Sequence, residues 1–156
     1  MKAMLRIKKL DHVAVCVPDI DEAAARWRAA FGVEPAAREV VASQKTEAML
    51  LPLGDGGAAV ELISPRGNEG LAKFLEKRGP ALHHVAIEVE GIEAAIVLLK
   101  SLGVPMIDDA PRTGARGHKV AFVHPRATGG VLVELVEPDA SHGTTAKGRD
   151  QGPQGL

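Results

Sequence analysis

The sequence predicts an α+β fold built from two tandem βαβββ modules, and three observations support this prediction. The string LDHVAV at residues 10–15 recurs as LHHVAI at residues 82–87. The string VELISP at residues 60–65 recurs as VELVEP at residues 133–138, so the two repeats have shifts of 72 and 73 residues. Hydrophobic patterning also predicts the same order of elements in each half. A duplicated structural unit explains all three observations.

The first module covers about residues 8–66 and begins with a predicted strand at residues 9–16. Asp19, followed three residues later by Glu22, is a capping-box pattern that predicts the start of a helix. This helix is expected to end at about Phe31, just before a glycine. Three further strands are predicted at about residues 37–43, 46–53 and 58–64.

The second module covers about residues 80–138 and begins with a predicted strand at residues 82–89. A helix with an apolar face follows this strand and ends near Leu102, because Gly103 and Pro105 interrupt the pattern. The remaining strands of this module are predicted near residues 105–108, 117–124 and 130–137.

Both modules are expected to belong to a single domain, residues 1–138, in which a helix at residues 68–78 links them. From residue 139 onward the composition changes to Gly, Ser, Thr, Lys and Gln, with almost no apolar side chains. Such a segment cannot bury enough surface to offset the entropy that is lost on ordering. Residues 139–156 are therefore expected to form a disordered tail.

Composition argues against several classes of partner. The formal net charge of −1 provides no general attraction to nucleic acid or to an anionic membrane. One Trp, three Phe and no Tyr are too few aromatic residues for a base-stacking surface. No apolar run approaches the roughly 18 residues needed to cross a bilayer. The single cysteine excludes an intrachain disulfide and fits a reducing compartment, so a cytoplasmic location is expected.

Four ionisable residues occupy predicted strands with apolar neighbours: His12, Glu61, His84 and Glu134. Burial of an unpaired carboxylate costs several kcal/mol, so these side chains need a compensating partner. The two histidines hold equivalent positions in the two repeats, as do the two glutamates, and a pseudo-two-fold axis would bring all four together. We therefore predict that they bind one divalent metal ion. Co, Mn, Ni, Zn and Fe all suit imidazole and carboxylate ligands.

Other residues with reactive side chains lack a comparable arrangement. Because side chains alternate along a strand, His83 is expected to point away from the face that carries His84. Cys16 has no activating neighbour in the sequence and is expected to be a buried structural thiol. The sequence contains no HExxH, GxSxG, GxGxxG or phosphate-binding-loop motif.

Over about residues 8–138 this arrangement resembles the vicinal-oxygen-chelate superfamily, whose paired βαβββ modules carry metal ligands on their first and last strands. Several stretches are more particularly similar to its methylmalonyl-CoA epimerase family. These stretches are LDHVAV at 10–15, SQKTEAM at 43–49, VELISP at 60–65, KFLEK at 73–77, LHHVA at 82–86, and VHP at 123–125 leading into GVLVEL at 130–135. The resemblance implies mixed sheets that form an open barrel-like cleft around the metal site.

The resemblance assigns metal ligands to His12, Glu61, His84 and Glu134, and it gives catalytic roles to Glu47 and Glu134. It implies epimerisation of (2R)- and (2S)-methylmalonyl-CoA by a 1,1-proton transfer through a metal-stabilised enolate. It also implies an acyl-CoA substrate and a homodimeric protein. A carboxylate is a weak base unless a dry site raises its pKa. The apolar residues that follow Glu47 are expected to raise its pKa in this way.

Three alternatives stay open at the level of the sequence. Some family members have Gln at the position of Glu61, and the set His, Glu, His, Glu is also that of metal-dependent glyoxalase I, a lyase that acts on a thiol hemithioacetal. The ligand set alone therefore allows both reactions. An Fe(II) extradiol dioxygenase needs two His and one carboxylate, so the fourth ligand and the lack of Tyr argue against it. A metal-free small-molecule binding module would be expected to lack the ligands that are present here.

Overall fold

The computed structural model describes residues 4–139 and has an α+β fold, in which a mixed eight-stranded sheet curls into a half-barrel with α-helices. The strands are β1 (Ile7–Cys16), β2 (Ala37–Val41), β3 (Thr46–Pro52), β4 (Ala59–Pro65), β5 (Ala81–Val89), β6 (Arg112–Thr113), β7 (Lys119–Val123) and β8 (Val133–Glu137). The helices are α1 (Ile20–Phe31), α2 (Glu69–Arg78) and α3 (Ile92–Ser101). Residues 140–156 of the predicted tail lie outside the described residues.

The strand order across the sheet is β2-β3-β4-β1-β5-β8-β7-β6. β1 runs parallel to β4, and β5 runs parallel to β8, so each module pairs its first strand with its last. The modules meet where β1 and β5 run antiparallel, with Val13 opposite Val85 at the centre of that pairing. The predicted α+β fold with two βαβββ modules is confirmed.

Local sequence signals determine where two of the helices begin. Asp19 Oδ1 accepts a hydrogen bond from the backbone N–H of Glu22 at 3.0 Å, so the capping interaction predicted before α1 forms. Asn68 Oδ1 accepts a hydrogen bond from the backbone N–H of Leu71 at 2.9 Å and caps α2 in the same way. Each cap satisfies an N–H group that helix geometry leaves unpaired, which stabilises the helix by about 1 kcal/mol.

The strand predicted at residues 105–108 is wrong. Met106 forms only an isolated bridge with Val123, and the short strand of this region is β6. The cause lies in Asp108, whose carboxylate accepts a hydrogen bond from the backbone N–H of Phe122 at 2.8 Å. The side chain of Asp108 thus accepts from a backbone N–H of β7 that would otherwise donate to the backbone carbonyl of a paired strand. The regular ladder of backbone hydrogen bonds therefore ends there.

Helices cover the outer face of the sheet in both modules. α1 packs on the first module through the buried cluster Val17, Ile20, Ala24, Met49, Leu51, Val60 and Leu62. α3 packs on the second through the cluster Val89, Ile92, Ala95, Ile96, Ala121, Val123 and Leu135. On the inner face, Leu71 of α2 packs with Ala14 and Cys16. Cys16 is a buried free thiol as predicted, and burial raises its pKa to about 11.

A glycine at the start of the loop before β7 allows a close approach that a larger residue would prevent. A β-carbon added at Gly114 would lie 2.8 Å from both γ-carbons of Val120. Because valine is stiff at χ1, it cannot turn away cheaply. We predict that Gly114→Ala lowers the free energy of unfolding by about 1–3 kcal/mol.

Gly70 in α2 provides the matched control, because an added β-carbon there makes only an ordinary contact at 3.5 Å with Asn68. Gly70→Ala is expected to be neutral or to stabilise the protein by up to about 1 kcal/mol. Urea unfolding of both variants measures the difference. Equal stability of the two variants would contradict the steric explanation.

Candidate metal centre

The strand register brings the candidate ligands onto two adjacent rows of the inner face. In the first row, Ala14 of β1 pairs with Glu61 of β4 on one side and with His84 of β5 on the other. Directly paired residues of neighbouring strands project to the same face of a sheet. Glu61 and His84 therefore flank an alanine on the same side of the sheet.

The second row repeats this pattern through the internal duplication. Ala86 of β5 pairs with His12 of β1 on one side and with Glu134 of β8 on the other. Ala14 and Ala86 are both fully buried, and each presents only a methyl group between two ligand candidates. The small side chains leave space above the sheet, and the four longer side chains converge on that space.

Distances between side-chain atoms show that all four candidates gather there. His12 Nε2 lies 3.7 Å from Glu61 Oε1 and 3.6 Å from Glu134 Oε1. His84 Nε2 lies 4.0 Å from Glu134 Oε2. All four residues are buried, with 2–7% of each exposed. The structure thus brings together the residues that the sequence predicted as a ligand set.

The cluster has the geometry and the unsatisfied atoms that a divalent cation requires. Nε2 of both His12 and His84 is buried without a hydrogen-bond partner among the described residues. One ligand atom each from His12, Glu61 and His84 lie within 4.8 Å of one another. Two ligands bound at about 2.1 Å to one cation lie about 3.0–3.4 Å apart, so small inward shifts would complete coordination.

A small cavity of about 10 Å³ lies directly against three of these side chains, His12, Glu61 and Glu134. That volume is about the minimum that holds one water molecule. Arg116 and His118 also line this cavity. The space is therefore of the right size for a single ion and too small for an organic ligand.

Each candidate ligand histidine has a partner at its outer nitrogen, and the residue just before it supplies this partner. Asp11 Oδ2 accepts a hydrogen bond from His12 Nδ1 at 2.7 Å, and His83 Nδ1 lies 2.8 Å from His84 Nδ1. The expectation that His83 points away from His84 is wrong. The pairing of β1 with β5 steps from Ala14–His84 to Val15–Leu82, so a β-bulge passes over His83 and disrupts the alternation of faces.

Burial dominates the proton affinities inside the cluster. It raises the pKa of Glu134 to about 8 and raises the pKa of Glu61, despite the opposing charge of His12. Burial also holds the pKa of His84 well below its usual value. Burial would lower the pKa of His12 too, but the hydrogen bond to Asp11 and the nearby carboxylates raise it overall. A cation would stabilise both carboxylates in their charged form.

A much larger cavity of about 710 Å³ adjoins the cluster at His84 and is lined by residues of both modules. Lys45 and Arg112 give one part of its wall positive charge, while Phe122 and Leu132 give it apolar surface. Arg112 donates to the backbone carbonyl of Ser43 at 3.0 Å, and its Nε forms an ion pair with Asp108 Oδ1 at 3.4 Å. This cavity can hold an anionic organic molecule next to a bound cation.

The predicted catalytic residue Glu47 has a different environment from the one expected. Its carboxylate accepts hydrogen bonds from Arg38 Nε at 2.7 Å and from Arg66 Nε at 2.7 Å. These hydrogen bonds lower the pKa of Glu47, so the expected rise is wrong. Glu47 is buried on the outer face of the sheet, which it shares with Met49, because side chains alternate along β3; Thr46 lines the larger cavity, and Glu47 lines neither of the two cavities.

Asp11 and Arg112 also belong to the candidate site, although neither gives a local signal in the sequence, because a bulge and loop geometry position them. The repeat gives an indirect signal for Asp11 and His83, which occupy the same position before the two candidate ligand histidines. Arg116 also adds to the site: its NH2 donates to Asp11 Oδ2 at 3.1 Å.

Comparison with known proteins identifies the family. A model of the glyoxalase/bleomycin resistance protein/dioxygenase superfamily matches residues 11–122. The mitochondrial methylmalonyl-CoA epimerase of Mus musculus is 36% identical over 132 residues, which cover 83% of this chain and 73% of that protein. The ethylmalonyl-CoA/methylmalonyl-CoA epimerase of Cereibacter sphaeroides is 38% identical over 133 residues, which cover 83% of this chain and 97% of that protein. The chain belongs to the methylmalonyl-CoA epimerase family.

Solved structures of the epimerase family support the same assignment. The crystal structure of methylmalonyl-CoA epimerase from Mycobacterium tuberculosis matches with a TM-score of 0.83 and 34% identity, covering 89% of this chain and 93% of that one. An epimerase solved with methylmalonyl-CoA and NH4+ matches with a TM-score of 0.79 and 30% identity, covering 86% and 96%. The family resemblance drawn from the sequence is therefore confirmed. No helix within residues 4–139 is long and apolar enough to cross a membrane.

The raised pKa of Glu134 predicts how stability depends on pH when metal is removed. The folded-state pKa of about 8 exceeds the ordinary value of 4.5, so the stabilising contribution is fully present below about pH 4.5 and is lost as the pH rises towards 8. We predict that, in the presence of chelator, the free energy of unfolding of the wild-type protein falls between pH 5 and pH 8. The fall should exceed that of Glu134→Gln by on the order of a few kcal/mol.

Thermal unfolding in chelator at pH 5, 6, 7 and 8 measures this difference. Glu134→Gln is the matched variant, because glutamine fills the same space and does not titrate. A divalent metal is expected to restore the wild-type protein at pH 8, since the carboxylate then has a cation to pair with. Parallel melting curves for the two proteins across the whole pH range would show that Glu134 does not titrate in this way.

Proposed function

We propose that this protein catalyses metal-dependent epimerisation of (2R)- and (2S)-methylmalonyl-CoA by a 1,1-proton transfer. The observation that carries the proposal is the buried cluster of His12, Glu61, His84 and Glu134, which adjoins a cavity of about 710 Å³. The relatives named methylmalonyl-CoA epimerases, one of them solved with methylmalonyl-CoA, support this substrate class. An epimerase acting on an acyl-CoA fits both the site and the family.

The proposed ligands of the cation are His12, Glu61, His84 and Glu134. A divalent ion bound there would act as a Lewis acid that stabilises negative charge on the thioester oxygen during loss of the C2 proton. The two histidines would each use Nε2, the atom that is buried without a hydrogen-bond partner among the described residues. Co, Mn, Ni, Zn and Fe remain the candidates for this mixed set of nitrogen and oxygen donors.

Glu134 is the proposed base on one face of the substrate carbon. Without a cation, burial raises the pKa of its carboxylate to about 8, and a bound cation would favour the charged form that can take a proton from carbon near neutral pH. Its two oxygens also differ, because Oε1 faces His12 and Oε2 faces His84. One oxygen can therefore stay near the cation while the other accepts the proton.

Glu47 is the proposed base on the opposite face. Hydrogen bonds from Arg38 and Arg66 lower its pKa and hold the carboxylate in its charged form, which makes it a weaker base while these contacts last. Alternation along β3 directs Thr46 to the larger cavity and Glu47 to the outer face, where Met49 packs under α1. The proposal therefore requires Glu47 to leave its arginine contacts on the outer face and to reach the substrate during the reaction.

The larger cavity suits an acyl-CoA in charge as well as in size. Lys45 and Arg112 lie in its wall, and an acyl-CoA with a free carboxylate carries several negative charges. Arg112 donates to the backbone carbonyl of Ser43 at 3.0 Å, and its Nε lies 3.4 Å from Asp108 Oδ1, so both contacts hold the guanidinium in position. Electrostatic attraction of this kind speeds association and orients the substrate.

A homodimer in the cytoplasm, built on one two-module domain of residues 1–138, completes the proposal. The continuous pairing of β1 with β5 supports a single domain.

Exposed Leu82 and Val131 border a groove of about 520 Å³, which supports a contact between two copies. Buried Cys16, a free thiol, is consistent with a reducing compartment. Sedimentation of the purified protein tests the dimer, and a monomer at micromolar concentration would contradict it.

The direct test of the reaction is proton exchange at C2 of methylmalonyl-CoA in D2O. The metal-loaded protein is expected to exchange the C2 proton and to interconvert the two epimers. Chelator should abolish both processes, and added metal should restore them. The hemithioacetal of methylglyoxal and glutathione serves as the comparison substrate in the same sample. Turnover of the hemithioacetal without exchange at C2 would contradict the epimerase assignment and favour a lyase.

The two-base proposal predicts different defects for the two glutamates. Glu47→Gln should lower epimerisation by about 10²–10⁴-fold. It should still exchange the C2 proton of the one epimer that faces Glu134, with retention of configuration. The exposed Glu76→Gln is the matched control and should behave as wild type. Epimerisation by Glu47→Gln at the wild-type rate would show that Glu47 is not a base.

A further inference from the structure

The pairing of β1 with β5 has three register shifts, and two of them lie directly beside the proposed ligand histidines. The pairing of β1 with β5 steps from Leu10–Ile87 to His12–Ala86, so Asp11 has no partner in the ladder. It steps again from Ala14–His84 to Val15–Leu82, so His83 has none either. A bulge leaves one residue unpaired and re-aims its side chain. The residue before each ligand histidine is the one that is re-aimed.

Both re-aimed side chains contact the same atom of their histidine. Asp11 Oδ2 lies 2.7 Å from His12 Nδ1, and His83 Nδ1 lies 2.8 Å from His84 Nδ1. A regular strand would direct neighbouring side chains to opposite faces and allow neither contact. The two bulges are thus equivalent features of the two modules, and both serve the outer nitrogen of a histidine whose Nε2 faces the cluster.

The position of the imidazole proton gives these contacts their chemical importance. A neutral imidazole carries one N–H, and only the other nitrogen has a lone pair for a metal. An acceptor at Nδ1 keeps the proton there and leaves Nε2 free for the cation. If His84 binds through Nε2, its Nδ1–H must donate to His83 Nδ1, and the proton of His83 must lie on Nε2.

We propose that Asp11 and His83 are paired positioning residues, which fix His12 and His84 with Nε2 towards the cation. This inference rests on the proposed metal site. Both residues accept a hydrogen bond from the Nδ1–H of the following histidine, but the acceptor is a carboxylate in Asp11 and a neutral imidazole in His83.

Asp11 and His83 differ in what surrounds them. Asp11 also accepts from Arg116 NH2 at 3.1 Å, so an element of the second module holds it in place. His83 packs edge-to-face against Phe74, with ring centroids 4.9 Å apart, and it lines the larger cavity. The orientation of His12 therefore depends on contacts inside the protein, whereas the partner of His84 borders the space assigned to the substrate.

The first measurement is metal affinity by competition of Zn²⁺ or Co²⁺ between the purified protein and a chelator. Asp11→Ala and His83→Ala are each expected to weaken binding by about 10–100-fold. Asp11→Asn and His83→Gln keep an oxygen that can accept from Nδ1–H, so they should recover most of the affinity. Asp109→Ala and His124→Ala are controls that remove an acid and a histidine outside the cluster, and they should bind as wild type.

The second measurement is proton NMR of the Co²⁺-loaded protein, which separates positioning from a general loss of structure. The wild-type protein should give two exchangeable, paramagnetically shifted imidazole N–H signals, one from each ligand histidine. Asp11→Ala should lose or broaden only the signal of His12, and His83→Ala should lose or broaden only that of His84. Selective loss cannot come from partial unfolding, which would affect both.

The possible outcomes distinguish failure of the positioning roles from failure of the proposed metal site. Wild-type affinity and both N–H signals retained in Asp11→Ala and His83→Ala would overturn the positioning roles while leaving the metal site intact. Weak binding with both signals lost together in each variant would also overturn them, because the defect would then be structural. Failure of the wild-type protein to bind any divalent metal would overturn both this inference and the proposed site.

Discussion

The antiparallel pairing of β1 with β5 is the contact on which the rest of the molecule depends. It joins the two modules into one sheet and centres their approximate two-fold symmetry on Val13 and Val85. Through this pairing the candidate histidine of each module lies in the same row as the candidate glutamate of the other module. Neither module could assemble the cluster alone, because each supplies one histidine and one glutamate.

The burial of four ionisable side chains at this junction is costly, and the protein offsets only part of the cost by itself. Asp11 and Arg116 support His12, and burial would raise the pKa of Asp11, but its partners lower it to about 2. Glu61 and Glu134 have no comparable partners and instead show raised pKa values. This imbalance is what a site would show if the missing positive charge were supplied by a cation.

Much of the fold and of the candidate site could be predicted from the sequence, because an internal duplication gives repeats that keep the same spacing. The fold and the convergence of four candidate ligands followed from six-residue repeats in register, and the cap at Asp19 followed from a local pattern. What failed were features that depend on contacts between distant segments. The bulge at His83, the carboxylate of Asp108 that ends a ladder, and the arginines around Glu47 are absent from any local pattern. Successive side chains of a regular strand point to opposite faces of the sheet. Strands that carry a candidate site depart from this pattern where a bulge redirects a side chain.

The two alanines in the middle of the rows determine how much volume the site contains. Ala14 and Ala86 each contribute one methyl group to the floor beneath the cluster, and both are fully buried. A valine at either position would add two methyl groups to a space that holds little more than one ion. Valine at these positions would therefore fill the space between the four ionisable side chains without any change in topology. The proposed metal site thus requires small side chains beneath it as well as its four candidate ligands.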